Sequence, residues 1–143
     1  MSQAISCVIC AYNEASRISK VLDVAVGHPS IREVIVVDDG STDATKEVVK
    51  KYPSVRLIAL EHNVGKSRAF VQGVAASTGE LIMCLDADSY ISEDALSRAI
   101  IYFEDKKVKA VASNVKVAKT KGILNLVQVF EYILCYQMKK AQK

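Results

Sequence analysis

Apolar positions along this chain follow two alternating rhythms. Short runs of contiguous apolar residues recur at ISCVICA (5–11), EVIVV (33–37), VRLIAL (55–60) and ELIMCL (80–85). Such runs read as strands buried on both faces. Between them the apolar residues fall at helical spacing. Ile18, Val21, Leu22 and Ala25 predict a helix that Gly27, His28 and Pro29 stop. A second helix carries Val48 and Val49 and ends before Pro53, and a third spans KSRAFVQGVAAS (66–77) and is closed by Gly79. Further on, EDALSRAIIYFED (93–105) predicts a fourth helix, VKAVASNVKV (108–117) a fifth strand, and 122–140 a long last helix.

Strand–helix alternation of this kind predicts an α/β fold, a mostly parallel sheet with helices on both faces and right-handed crossovers. No internal repeat or linker interrupts it, so residues 1–121 are expected to form one α/β domain, with 122–143 its long apolar C-terminal helix. In open parallel sheets ligands bind beyond the carboxyl ends of the strands. Four polar loops occupy that layer: AYNE, DDGS, HNVGK and DADS. Bland roles are available to several of their residues. Asn13 and Glu14 could cap the first helix, Asp38 could cap the second, and Ser41, Thr42 and Asp43 are further caps.

The loops narrow the chemistry. G-x-G-x-x-G is absent, and GKS (65–67) is no P-loop, because the glycine required five positions before Gly65 is Leu60. Lys66 still opens a helix, where a lysine and free amides together favour an anion; a solvated lysine is the alternative. Asp86 and Asp88 lie two apart, so on extended backbone both face one way. Two carboxylates so placed repel unless a cation intervenes. Mg²⁺ and Mn²⁺ take oxygen ligands and are often held by one or two carboxylates plus substrate phosphates, so a metal–diphosphate site is expected here, with a plain turn as the alternative. Tyr12 offers a ring for stacking. One of Asp38 and Asp39 can accept a base N–H. His28 and His62 add little.

Composition excludes more than it assigns. Half the residues are hydrophobic and the net charge is +3, too mild and too dispersed for nucleic-acid binding. No signal peptide is seen, and no uninterrupted apolar run reaches the ~18 residues of a membrane span. A cytoplasmic protein with reduced thiols at Cys7, Cys10, Cys84 and Cys135 is therefore expected. The C-x-x-C spacing of Cys7 and Cys10 falls inside a strand, so the two read as small buried hydrophobes.

Taken together, CAYNEASRISKVL, VIVVDDGSTDAT and HNVGKSRAFVQGVAASTGELIMCLDADS resemble, in order and spacing, the nucleotide-sugar half of family-2 glycosyltransferases. DADSYISEDAL, VASNVKV and LNLVQVFEYILCYQMKKAQ look like the membrane-associated polysaccharide-synthase branch of that family. The resemblance implies the GT-A fold and an inverting transfer from a nucleotide-diphospho-sugar, UDP before GDP, to a saccharide or lipid-linked acceptor. It implies that Ala11, Tyr12 and Glu14 embrace the nucleoside and that Asp39 binds the uracil. Lys66 would lie near the nucleotide or its phosphates. Asp88 would contact a Mg²⁺ or Mn²⁺ cofactor, and Asp86 would be shared between metal and ribose or donor sugar.

The family's general base is an aspartate of a T-E-D-like loop beyond Lys143, and its later Q-x-x-R-W motif is also missing, since the chain has no tryptophan. Glu93, Asp94, Glu104 and Asp105 read as helix ends and Glu131 as mid-helix, so no catalytic base is assigned. The expectation is a donor-binding half, truncated before the acceptor part. A non-catalytic binding fragment is the nearest alternative. A Mg-dependent phosphoryl-transfer enzyme of the haloacid-dehalogenase type, which LDADS imitates, is remote. The very apolar last helix implies burial against an acceptor domain, the cytoplasmic face of a membrane or a second copy of the chain.

Overall fold

β1 (Ile5–Ala11) runs through the interior of the sheet, and its composition explains why: its side chains are buried on both faces of the strand, with Cys10 alone partly open. The computed structural model describes residues 4–92 and 94–113. β2 (Ile31–Asp38) and β4 (Leu81–Asp86) flank β1, and β3 (Val55–Ala59) lies outside β2, giving an all-parallel sheet of order β3-β2-β1-β4. The register places Cys10 beside Asp86 on one side and Ala11 beside Asp38 on the other. The chain steps outward from β1 to β3 and then crosses back to β4. The order therefore reverses beside β1, and a crevice opens there at the carboxyl ends of the strands.

Period-2 alternation splits the core into two layers. Cys7, Ile9, Ala11, Val34 and Val36 face α1 (Ile18–Gly27) and α2 (Thr45–Val49), which add Ile18, Val21, Leu22, Ala25 and Val49. Val8, Ile35 and Val37 face α3 (Lys66–Ala76) through Ala69. A Cβ at Gly73 of α3 would collide with Val8 Cγ1 and lie 3.0 Å from Val37 Cγ2, so the missing side chain is what lets this helix sit so close to the sheet.

A polar cluster closes the opposite end of the strands. Ser6 Oγ donates to Glu33 Oε1 at 2.6 Å, the Thr78 N–H donates to the same oxygen at 2.8 Å, and the Gly79 N–H donates to Ser6 Oγ at 2.8 Å. Burial alone would raise the Glu33 carboxyl's pKa, but these hydrogen bonds outweigh it and hold it below its ordinary value. Gly79 therefore does not close α3 as expected. The helix ends at Ala76 with Ser77 extended, and Gly79 anchors the entry to β4.

Other boundaries shift by one to three residues. β2 gains Ile31, Arg32 and Asp38, and β4 gains Asp86, because strand pairing continues into the polar positions. The chain divides into two compact units, Met1–Ile101 and Tyr102–Lys143. The expected fourth helix is α4 (Ala95–Ile100) followed by a 3-10 turn, Ile101–Glu104. Residues 108–113 form no strand. The rest of the expected fifth strand, the last helix and the 121/122 boundary lie outside the described residues. Among the described residues no helix is long and apolar enough to cross a membrane.

Candidate functional site

The first two loops are stitched together by hydrogen bonds. Asn13 takes left-handed backbone (φ 55°), a conformation asparagine tolerates better than most residues. Its Oδ1 accepts the Thr42 N–H at 2.8 Å and the Asp43 N–H at 3.3 Å. In return the N–H groups of Asn13, Glu14 and Ala15 donate to Ser41 Oγ, Thr45 Oγ1 and Asp43 Oδ2 at 2.9, 2.9 and 3.1 Å. Neither Asn13 nor Glu14 caps α1 with its side chain; the helix starts at Ile18 with no side-chain cap. Asp43 accepts the Thr45 N–H at 3.0 Å and also bonds the Thr45 hydroxyl, which lowers its carboxyl pKa and makes it the polar anchor of α2.

Asp38 and Asp39 divide their work. Asp38, fully buried, accepts the Ser41 N–H at 3.2 Å and pairs with Lys46 at 3.6 Å, so it braces the turn rather than capping α2. Asp39 reaches the third loop, taking the Val64 N–H on Oδ1 at 2.7 Å and the Gly65 N–H on Oδ2 at 3.0 Å. Gly40 follows in left-handed backbone (φ 71°), and a Cβ there would stand 2.5 Å from the His62 carbonyl carbon and 2.7 Å from the Asn63 nitrogen. Loops two and three thus meet through a glycine and a carboxylate.

The fourth loop alternates as expected. Ala87 turns into the core at 4% exposure, while Asp86 and Asp88 on either side stay half-exposed. The resulting cleft, of about 390 Å³, is lined by all seven sequence-expected residues: Ala11, Tyr12, Glu14, Asp39, Lys66, Asp86 and Asp88. Cys10, Asn63, Gly65 and Ala87 complete the lining.

Charge is unevenly matched within this cleft. Lys66 Nζ lies 2.5 Å from Asp86 Oδ1, and this hydrogen bond raises the lysine pKa. Arg17, just before α1, stands 3.5 Å from Glu14 Oε2 and 3.8 Å from Asp88 Oδ2. Glu14 Oε2 is buried and has no hydrogen-bond partner among the described residues. Burial pushes the Cys10 thiol up to about 11, so it faces the cleft uncharged. Sequence reasoning passed over Arg17, although its spacing of three from Glu14 is an ion-pair signal near a helix start.

No group of three or more His, Cys, Asp or Glu among the described residues is placed to hold a metal. Asp86 and Asp88 offer the half-exposed carboxylate oxygens of the cleft, since Asp39 is buried and bonded to backbone amides. That donor set fits Mg²⁺ or Mn²⁺ completed by phosphate oxygens and water, and does not fit a structural metal enclosed by protein.

Three kinds of similarity coincide with this geometry. The sequence model of Glycosyl transferase family 2 matches residues 6–140. The chain is 33% identical over 136 residues to poly-beta-1,6-N-acetyl-D-glucosamine synthase of Staphylococcus epidermidis, covering 91% of this chain and 33% of that protein. It is 32% identical over 135 residues to the synthase of the same name from Staphylococcus aureus, with the same shares. The chain thus spans about 33% of the length of these curated relatives. A mannosyltransferase from Pyrobaculum calidifontis, solved with GDP-Man and Mn²⁺, superposes with a TM-score of 0.73 at 31% identity, over 81% of this chain and 36% of that one. Staphylococcus aureus TarS 1-349 shares the fold, with a TM-score of 0.64 at 24% identity over 81% of this chain and 40% of that one. With its all-parallel sheet and strand-end cleft, the chain belongs to glycosyltransferase family 2 and has the GT-A fold.

Proposed function

We propose that the cleft is the donor site of an inverting glycosyltransferase and that it takes a nucleotide-diphospho-sugar, with UDP preferred and a saccharide or lipid-linked acceptor. The observation that carries this reading is the convergence of a half-exposed Tyr12 ring, a buried Glu14 oxygen that has an ion-pair neighbour but no hydrogen bond, and the Asp86–Asp88 pair around Lys66 in one cleft. The ring suits a base, and the Glu14 oxygen suits a donor such as a ribose hydroxyl. Asp39 lies at the inner wall, where each oxygen retains a lone pair for a base N–H beside its backbone partner.

Asp88 and Asp86 would hold a divalent cation, which when bound offsets the charge growing on the leaving diphosphate. Lys66 beside Asp86, and Arg17 beside Asp88, would orient the phosphates. Deprotonation of the acceptor is assigned to none of the described residues. Asp94 pairs with Arg98 at 3.3 Å and does not line the cleft, and Asp105 accepts the Lys107 N–H at 2.9 Å. The names of the relatives point to N-acetylglucosamine as the sugar, and the mannosyltransferase keeps GDP-mannose as the competitor. The free thiols Cys7, Cys10 and Cys84 favour a cytoplasmic site, with the membrane face as the place of the full assembly.

Titration calorimetry with UDP, UDP-N-acetylglucosamine, GDP and GDP-mannose, each with and without Mn²⁺, tests the reading. Binding of a nucleoside diphosphate that needs Mn²⁺ and is lost in Asp88→Ala is expected. Absence of binding to all four ligands, above all with phosphatase activity present, would overturn it.

A further inference from the structure

In the donor cleft the two aspartates of the expected metal motif already face basic side chains of the same chain. Lys66 Nζ is 2.5 Å from Asp86 Oδ1, and Arg17 Nη1 is 3.8 Å from Asp88 Oδ2. Lys66 is also the first residue of the eleven-residue helix α3, which has no acidic residue in its first turn. An ammonium group is poorly placed at that end, where the helix dipole favours an anion. Asp86 supplies the anion that this corner calls for, and Lys66 supplies the cation that Asp86 calls for. Each partner occupies the position of the other's ligand.

Resting on the donor-site reading above, we propose that Lys66 is an exchangeable internal counter-cation of Asp86. With the cleft empty of donor it holds the carboxylate; when a divalent cation takes Asp86 and Asp88, Lys66 passes to the diphosphate. Arg17, shared between Glu14 and Asp88, follows the same exchange more loosely. A divalent cation arriving alone must displace Lys66, and a nucleotide arriving alone must draw Lys66 off Asp86. Either ligand therefore frees the group the other needs, and the coupling between them is reciprocal. Lys66 is a positioning residue for the cation as well as a contact for the phosphates.

The test measures Mn²⁺ binding alone by electron paramagnetic resonance, UDP binding alone by calorimetry, and each again with the other present. Wild type, Lys66→Gln and Lys66→Arg are compared as the whole 143-residue chain. Lys66 is largely exposed at 62%, so the substitutions leave the fold intact. Lys66→Gln is expected to bind Mn²⁺ alone about two- to fivefold tighter, the range an exposed ion pair commands. It should also bind UDP alone more weakly, and the factor by which each ligand tightens the other should fall by about two- to fivefold. Lys66→Arg, which keeps the charge, should stay close to wild type in Mn²⁺ affinity. Lys66→Gln binding Mn²⁺ no tighter than a wild type that still binds UDP with Mn²⁺ would overturn the exchange alone. A wild type that binds neither UDP nor GDP with Mn²⁺ overturns the donor-site reading, and the exchange with it.

Discussion

Asp39 grips Gly65: its Oδ2 accepts the Gly65 N–H at 3.0 Å while its Oδ1 takes the neighbouring Val64 N–H at 2.7 Å. A buried carboxylate on the end of β2 therefore fixes the backbone that starts α3, and with it the position of Lys66. Asp39→Ala should cost about 1.5–3 kcal/mol, because two partly buried amides lose a charged acceptor. Asp39→Asn should cost less, since one oxygen remains. Urea denaturation of the two variants checks the order; equal stability of Asp39→Ala and wild type would refute the brace.

Gly40→Ala should be destabilising by about 1–3 kcal/mol, since left-handed backbone and overpacking both penalise the new methyl. The methyl points at His62 and Asn63, whose backbone cannot yield like a side chain. Faster amide hydrogen exchange at Asn63–Gly65 in the variant would locate the damage in the third loop.

At Gly73 two effects of opposite sign compete. Alanine gains about 1 kcal/mol of helix propensity. It also drives a methyl into Val8 and Val37, both fully buried, at an overpacking cost of about 1–3 kcal/mol. Packing should win, so Gly73→Ala should melt below wild type. A higher melting temperature would show that α3 can lift off the sheet.

Cys7 gives a stability that depends on alkaline pH. Burial first, and the nearby Cys84 second, push its pKa from about 9.0 to about 12. The unfolded thiol ionises first, so this stability is complete below pH ~9 and is lost as pH climbs toward ~12, by up to ~4 kcal/mol in all. Between pH 8 and pH 10 the share lost through Cys7 should be about 1 kcal/mol, and Cys7→Ala should make that part of the profile shallower, leaving the slope that the raised Cys10 thiol contributes. Guanidinium titrations at the two pH values decide it.

Tyr12 is 48% exposed at the cleft rim. If its ring stacks on the base, Tyr12→Ala should weaken UDP affinity about three- to tenfold, in line with an aromatic contact of ~0.5–1.5 kcal/mol, and Tyr12→Phe should retain it. Calorimetry on the two variants separates ring stacking from hydroxyl bonding.

The strands were legible because β1 and β2 keep contiguous apolar residues that only a doubly covered sheet can bury. The cleft was legible because strand-end loops share a layer, which is why Tyr12, Asp39, Lys66 and Asp88 could be grouped before any distance was known. Contacts between distant segments were not legible. Asn13 reads locally as a helix cap, yet its side chain serves Thr42 and Asp43. Gly79 reads as a helix stop, yet its N–H belongs to Ser6. Arg17 carries no local sign of Asp88, and only folding brings that carboxylate to it. In each case a local rule was available, and a partner remote in sequence outcompeted it.

The pairing of Cys10 with Asp86 carries one more consequence. Among the described residues β4 lies at the margin of the sheet, with β1 the one neighbour that holds its alignment. A slip by a single residue would swing an aspartate into the slot that Ala87 fills and leave a methyl facing the cleft. Burying that carboxylate without a partner is far costlier than any hydrogen bond the slipped strand could regain. The charged motif is thus also a proofreading mark: it makes the wrong alignment of the marginal strand insoluble in its own core.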